Sequence, residues 1–352
     1  MESNRVVTIL GAGFIGRYVV KHLDKKGLRS IVLSRNPFKK NYILTQGRTG
    51  YVDIVKFNPS EIKRSIEKSD YVINLIGILG PTKDFFKIHT DLPDLISKLC
   101  AESKNVKKLI HVSAIGADKN SKSIYQRSKF LGEEKVLNNF NSSIIIRPSL
   151  VLGSEDSFTN LWAKLSIFPI LPVVGSKFRF QPIWVNCLAR AIVSVIDKTD
   201  NEGKIYEIGG EKIISFEDLV KSILKTIGKK KIILNIPIST GKILGSTLEL
   251  LPGKTLLTKD QCLILSEKHN IVSKNNSTIQ NLGITPWHPI KKVLSNNLDG
   301  VEKRITNLRP DLFHRSSPRS VAGNISSVVP TASGPPKPGE HTPYKTPQRV
   351  KI

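Results

Sequence analysis

The sequence predicts an α/β protein: a Rossmann-type doubly wound parallel sheet, a smaller and mostly helical C-terminal lobe, and a disordered tail. Three observations lead there. The opening run Val6–Leu10 reads as a β-branched strand that ends in Gly11-Ala12-Gly13-Phe14-Ile15-Gly16 and passes into a helical period. From there to about residue 150, short β-branched runs alternate with amphipathic helical stretches, which calls for a parallel sheet covered on both faces. In the last 46 residues, where eight of the chain's 20 prolines fall, large apolar groups are too few to offset the entropy of ordering. The expected division is a dinucleotide-binding domain over 1–150, a substrate or partner lobe interleaved with it over 151–306, and a basic tail over 307–352.

The opening stretch carries the chemistry. Gly11 permits a tight turn, Gly13 leaves no Cβ between backbone and a pyrophosphate, and Gly16 lets the helix pack closely on the strand. The helix start at Phe14 and Ile15 then offers free N–H groups to the anion. The second strand, expected over Ser30–Leu33, ends in Ser34-Arg35-Asn36 and lacks the acid that would bond the ribose 2′-hydroxyl of NAD. Arg17 follows the third glycine, so Arg17 and Arg35 are read as two guanidinium groups for a 2′-phosphate, which favours NADP(H) over NAD(H).

Further strands are expected at Val52–Phe57, Tyr71–Leu75, Lys108–Ser113 and Ser143–Arg147. The fourth runs into Asn74-Leu75-Ile76-Gly77, where a glycine at a strand's carboxyl end suits close passage of a nucleoside. The fifth delivers Ser113 to the edge where open α/β sheets bind ligands, and after 11 intervening residues a helix opens with Tyr125-Gln126-Arg127-Ser128-Lys129. Tyr125 and Lys129 share a helical face, so the ammonium is expected to favour the phenolate and bring a weak acid toward neutral pH. Ser113 would then hold a carbonyl while Tyr125 passes a proton and a nicotinamide passes hydride.

With these elements stand Arg147-Pro148-Ser149-Leu150-Val151-Leu152-Gly153-Ser154-Glu155-Asp156-Ser157-Phe158-Thr159-Asn160, Leu171–Gly175 and Phe178-Arg179-Phe180-Gln181-Pro182-Ile183-Trp184-Val185. Together they resemble the extended short-chain dehydrogenase/reductase superfamily. Within it, the resemblance is to the atypical branch of the dinucleotide-binding accessory subunit of respiratory complex I and its bacterial relatives, over about residues 5–305. The resemblance implies a tightly held NADPH contacted also by Pro148, a largely non-catalytic role stabilising complex I, and a link to ubiquinone metabolism. The chain departs from the pattern at Asn186-Cys187, where relatives tend to carry an acid, and at Asn58, where an aspartate is usual.

Beyond residue 150, strands are expected at Ile205–Gly209 and Lys231–Leu234, and helices at Leu188–Asp197, Phe216–Ile227 and Thr240–Leu251. Thr258-Lys259-Asp260-Gln261 reads as a capping box. The most apolar stretch, Leu161–Val174, is broken by prolines and reads as a helix and loop that either packs within the chain or rests on a membrane surface. Trp287 and His288, between prolines, read as a rigid packing loop.

Composition bounds the partners. With 54 Lys+Arg against 29 Asp+Glu the net charge is +25, which fits an anionic membrane surface or an acidic protein such as a complex I subunit. No motif organises specific nucleic-acid binding. No run approaches the ~20 apolar residues of a transmembrane span. The three cysteines, Cys100, Cys187 and Cys262, are too scattered for a metal site or a disulfide framework. The run before the first strand shows neither an apolar nor an amphipathic leader pattern, so no cleaved targeting segment is expected and the expected location is cytoplasmic, peripheral on the inner face of a bacterial inner membrane, or the matrix side of a mitochondrion. Three functions stay open: an NADP(H)-binding accessory protein, an NADP(H)-dependent reductase or epimerase on a small lipidic or quinone-like substrate using Ser113, Tyr125 and Lys129, and a nucleotide-free scaffold.

Overall fold

The computed structural model describes residues 5–37, 52–80, 84–199, 202–250, 257–273, 278–284 and 290–298. The expected tail over 307–352 and the Trp287–His288 loop lie outside the described residues. The first half follows the expected alternation: β1 (Val6–Leu10), α1 (Phe14–Lys25), β2 (Arg29–Ser34), β3 (Val52–Lys56), α2 (Pro59–Glu67), β4 (Tyr71–Asn74), α3 (Leu92–Glu102), β5 (Lys108–Val112), α4 (Ile124–Asn139) and β6 (Ser143–Pro148). Beyond it come β7 (Val151–Leu152), α5 (Ser157–Leu165), β8 (Ile170–Val174), β9 (Arg179–Phe180), β10 (Ile183–Trp184), α6 (Val185–Ser194), β11 (Ile205–Ile208), β12 (Ile214–Ser215) and α7 (Phe216–Thr226). The described chain ends with β13 (Ile232–Ile236), α8 (Ile238–Leu248), α9 (Lys259–Leu265) and α10 (Ile290–Leu298).

Seven strands form one parallel sheet in the order β11-β6-β5-β4-β1-β2-β3. The strand order reverses between β1 and β4, which opens the crevice at the carboxyl ends where doubly wound folds take a dinucleotide. Alternate strand residues feed two cores. Val7, Ile9, Val32, Ile73, Ile110 and Ile144 pack with residues of α1 and α6 on one face. Leu10, Leu33, Val72, Leu109 and Ile145 pack with residues of α2, α3 and α4 on the other. That two-sided burial is why the strands read as continuous apolar runs. Both α6 and β11 come from beyond residue 150, so the second half of the chain completes the sheet of the first.

The helix starts were written locally. Asn58 caps α2 through a bond from Glu61 N (2.9 Å), with Pro59 at the first turn. Thr258 and Gln261 close the expected capping box of α9, each side chain bonding the other's backbone N at 3.0 Å.

One expectation is corrected. The second half of the Leu161–Val174 stretch is a strand, not a loop: after α5 ends, β8 pairs in parallel with β13 over Ile170–Val174 and Ile232–Ile236. Pro169 and Pro172 forbid helix there, and Pro172 sits in a two-stranded ribbon that leaves β8 an outer edge, where a missing N–H is tolerated.

Candidate functional site

The glycine loop has the shape of a phosphate cradle. Gly11 lies at φ +117°, a conformation closed to most side chains, and is pressed against Leu75 of the element that follows β4. A Cβ on Gly16 would lie 2.3 Å from the Gly11 carbonyl oxygen, whereas one on Gly13 would meet no atom within 4 Å. The open side is therefore the Gly13 side, at the start of α1. There the first turn has no side-chain cap and no acid, so its N–H groups stay available to an anion. These residues fit a dinucleotide pyrophosphate.

Around that cradle the expected residues take definite places. The Phe14 ring rests on Gly153, where an added Cβ would come within 2.6 Å of it, and meets Tyr18 edge-on at 6.1 Å. Ile15 packs on the core under α1. Ser34 ends β2 with its hydroxyl accepting from Asn36 N (3.3 Å), and Arg35 next to it is exposed. Arg17, expected with Arg35 at a 2′-phosphate, forms an ion pair with Glu155, which lies between β7 and α5, and stacks over Tyr18 at 5.2 Å. Glu155 is 138 residues away and meets Arg17 because the Gly153–Asp156 turn packs on the glycine loop.

Deeper in the crevice, Asn74 ends β4, accepts from Ile76 N (3.1 Å) and donates to His111 Nδ1 (3.1 Å). That leaves the His111 proton on Nε2, which is buried without a partner. Gly77 gives room to Lys129: a Cβ there would sit 3.1 Å from Nζ. Lys129 Nζ donates to the Val112 carbonyl at the end of β5 (3.3 Å). Ser113, the next residue, is buried with no partner at hydrogen-bonding geometry, although it stands near enough to the Glu133 carboxylate to favour its ionised form. Pro148 is buried at the end of β6, its carbonyl accepting from Ile115 N (3.0 Å). The structure thus gathers Ser113, Lys129, Gly77 and Pro148 at the carboxyl ends of β4, β5 and β6.

Tyr125 behaves differently from expectation. Some of its surface stays open, but its ring packs edge-on against Phe85 (5.9 Å) and His89 (5.4 Å), which stack on each other. Burial, with the Asp260 carboxylate adding to it, pushes the phenol up to about 12 rather than toward neutrality. Lys129 supplies less charge than expected, because burial pushes its own pKa down to about 8 against the opposing pull of Glu133. The ammonium a turn away does not win over desolvation.

Sequence reasoning missed three features. His89, in a wide helical turn over Lys87–Asp91, is driven down to about 2 by burial and then by Lys129, so its ring is neutral. It accepts from Ile78 N (3.0 Å) and donates through Nδ1 to Ser128 (3.0 Å), fixing the chain beside Gly77 to α4. Asp260, besides starting α9, accepts from Ser123 Oγ (2.8 Å), Ile124 N (2.7 Å) and Tyr125 N (3.3 Å), so it caps α4 from the lobe. The third is a strap over residues 267–273. Asn270 bridges with Phe180, its side-chain oxygen accepts from Ser149 Oγ (2.6 Å) and Leu150 N (3.0 Å), and its amide donates to the Ile115 carbonyl (3.2 Å). Val272 N reaches Gln181 (3.0 Å), and Ser273 N reaches Glu207 (2.7 Å), itself 3.7 Å from Arg147, which binds the buried Glu133 of α4 at 2.9 Å. The strap therefore crosses the chain leaving β5, β6 and β11. A local signal existed only for Asp260, as part of the capping box.

The two departures from the resembled pattern have structural roles. Asn58 caps α2, and Asn186 meets His22 Nε2 at 2.8 Å, joining α6 to α1.

Comparisons with known proteins agree with the fold and with a dinucleotide-binding first half. Residues 11–140 match a family model described as NAD(P)H-binding, and residues 115–243 match the RmlD substrate binding domain. The first half is accordingly a nicotinamide-dinucleotide-binding unit. Among solved structures, UDP-glucuronic acid 4-epimerase from Bacillus cereus superposes with a TM-score of 0.64 at 17% identity, over 85% of this chain and 99% of that one. At that identity it shows the fold. Among curated proteins, the mitochondrial NADH dehydrogenase (ubiquinone) 1 alpha subcomplex subunit 9 of Dictyostelium discoideum is 32% identical over 246 residues, 66% of this chain and 67% of that protein. The Arabidopsis thaliana protein of the same name is 30% identical over 307 residues, 82% of this chain and 76% of its own. The Mus musculus one is 32% identical over 268 residues, 74% and 71%. With that identity over most of its length, and with the cradle those residues build, the chain belongs to the family of NADH dehydrogenase (ubiquinone) 1 alpha subcomplex subunit 9.

Proposed function

We propose that this protein is an accessory subunit of a respiratory complex I type assembly, on the matrix side of a mitochondrion or the equivalent bacterial face, and that it holds NADP(H) mainly as a structural ligand. Relatives named as subunits of NADH dehydrogenase (ubiquinone) support the assembly half of this reading. Exposed Arg35 at the end of β2, with no acid there, supports NADP(H) over NAD(H). A nicotinamide held in this crevice would supply hydride transfer.

The observation that carries the non-catalytic part is the setting of Tyr125. Its phenol is held up to about 12 between Phe85, His89 and the capping Asp260, so it is a poor proton donor to a carbonyl near neutral pH. The strap held by Asn270 is tied to Ile115, two residues beyond Ser113, and to Ser149, next to Pro148. A ligand bound only by the folded state adds about 4 kcal/mol at a thousandfold excess over its dissociation constant, which is use enough for a cofactor that never turns over.

The test is to purify the full chain, record the absorbance and fluorescence of carried-over reduced nicotinamide, and titrate stripped protein with NADPH and NADH. NADPH that exchanges slowly and is not oxidised is the expected result, and Arg35→Asp should lower the NADPH/NADH affinity ratio by about tenfold or more. Steady oxidation of NADPH with a lipidic or quinone-like acceptor, abolished by Tyr125→Phe, would overturn the structural role and make the protein a reductase. An unchanged ratio in Arg35→Asp would remove the basis for NADP(H).

A further inference from the structure

The ribbon of β8 and β13 has a face that no described part of the chain covers. Along β8, alternation sends Leu171 and Val173 into the lobe core with Leu152, Trp162 and Leu219, and leaves Ile170 (49% exposed) and Pro172 outside. Along β13 it sets Ile233 against that core and leaves Ile232 (66%) and Leu234 (51%) outside. The parallel register puts Ile170 beside Ile232 and Pro172 beside Leu234. The turn before β8 adds exposed Ile167 and Phe168, and it is tied to β13 by Ile232 N donating to the Pro169 carbonyl at 3.2 Å. Single exposed apolar residues need no explanation, but a contiguous row across two strands does.

Charge says what the row meets. Residues 164–172 and 225–236 carry five lysines, Lys164, Lys225, Lys229, Lys230 and Lys231, and no acidic residue. None of the five forms an ion pair among the described residues. The nearby Glu217, 3.2 Å from Asn235 of β13, is already paired with Lys221 at 2.7 Å. An apolar row edged by unpaired ammonium groups is complementary to the boundary between acyl chains and anionic headgroups: the apolar tips enter, and the lysine stems carry their charge to the phosphate level.

We propose that the β8–β13 face docks the protein peripherally on an anionic lipid bilayer, with Ile167, Phe168, Ile170, Ile232 and Leu234 inserted and the Lys229–Lys231 run on the headgroups. Docking of this kind needs no span, and no helix of the described residues is long and apolar enough to cross a membrane. It also stands apart from the cofactor reading, because neither nucleotide nor turnover enters the test.

The full-length protein is floated with vesicles of phosphatidylcholine alone and of phosphatidylcholine mixed with phosphatidylglycerol. Binding to the anionic vesicles only, weakening with salt, is expected. The triple variant Lys229→Glu, Lys230→Glu, Lys231→Glu should lower the partition coefficient by on the order of a hundredfold. The pair Ile232→Ser and Leu234→Ser, both at exposed positions and so harmless to folding, should lower it by about tenfold. Binding that neither variant weakens would overturn the proposal by placing the contact elsewhere, such as the basic chain end. Failure of the wild-type protein to bind anionic vesicles at low salt would overturn it in favour of a protein partner on this face.

Discussion

Replacing Asn270 by alanine tests the reading that a strap seals the crevice. The side chain accepts from Ser149 Oγ and Leu150 N and donates to the Ile115 carbonyl, at 2.6, 3.0 and 3.2 Å. Ser149 keeps a second acceptor in the Asn270 carbonyl (2.9 Å), so the net loss is the two bonds to backbone groups of Leu150 and Ile115. At about 1 kcal/mol each the strap is weakened by about 2 kcal/mol, which raises its open population by roughly thirtyfold. Global stability changes less, since β5, β6 and β11 keep their ladder bonds. Hydrogen exchange followed by mass spectrometry reads this directly: amides of 267–273 should exchange about thirty times faster, while those of β1 stay put. If the strap, tied two residues beyond Ser113, closes that end of the crevice, bound nicotinamide should also leave faster. If strap amides exchange at the wild-type rate in Asn270→Ala, the segment is not held by this side chain and the sealed-crevice argument fails.

Gly13→Asp should leave the apo-protein's melting temperature nearly unchanged, because a Cβ there meets no protein atom within 4 Å, while weakening NADPH by at least about a hundredfold through a carboxylate set against the pyrophosphate; calorimetric titration decides, and an unchanged affinity would refute the cradle. Glu155→Gln should release Arg17 and tighten NADPH severalfold at low salt if Arg17 serves the phosphates, as read by the same titration; no change would confine Arg17 to its contact with the Glu155 turn. For Lys129, burial lowers the folded pKa from 10.5 to about 8, so between those values the unfolded chain binds more protons and stability rises with pH through Lys129. Lys129→Met should lose that rise, up to about 3 kcal/mol. Denaturant unfolding of both proteins between about pH 7 and 10 reads it as a difference, since the buried thiols of Cys100 and Cys262, raised to about 12 and 11, pull stability the other way above pH 9 in both.

The parts of the fold legible in the sequence are those whose cause is local. The strands of the first half announce themselves because both faces of the sheet are covered, and β1 with its three glycines needs no partner to be recognised. The capping box at Thr258–Gln261 spans three residues and was equally readable, whereas Asn58, noted only as a departure from the resembled pattern, showed its capping role in the structure. What could not be read joins distant segments: Arg17 with Glu155, Asp260 with the start of α4, Asn270 with Ser149 and Ile115. Periodicity and local spacing say nothing about a bond across more than a hundred residues. The pairing of β8 with β13 belongs here too, since an apolar run broken by Pro169 and Pro172 carries no register.

The site shows the same division, and it bears on what a recognisable trio is worth. Ser113, Tyr125 and Lys129 were found by spacing, and spacing sets them at the carboxyl end of β5 and the start of α4. Their chemistry is set by neighbours that spacing cannot supply. Asp260 places a carboxylate at the N-terminal start of α4, where an anion is favourable for the helix and unfavourable for a phenolate. Phe85 and His89 remove water from the ring that would have to ionise. Lys129, half neutral near pH 8, ties the end of β5 to α4 through the Val112 carbonyl and fills the space left by Gly77. Each of these contacts holds the crevice together whether or not a proton is ever passed. Retention of the three residues is therefore what a structural cofactor site would require as well, and the pH at which Tyr125 ionises separates the two roles better than the presence of the trio does.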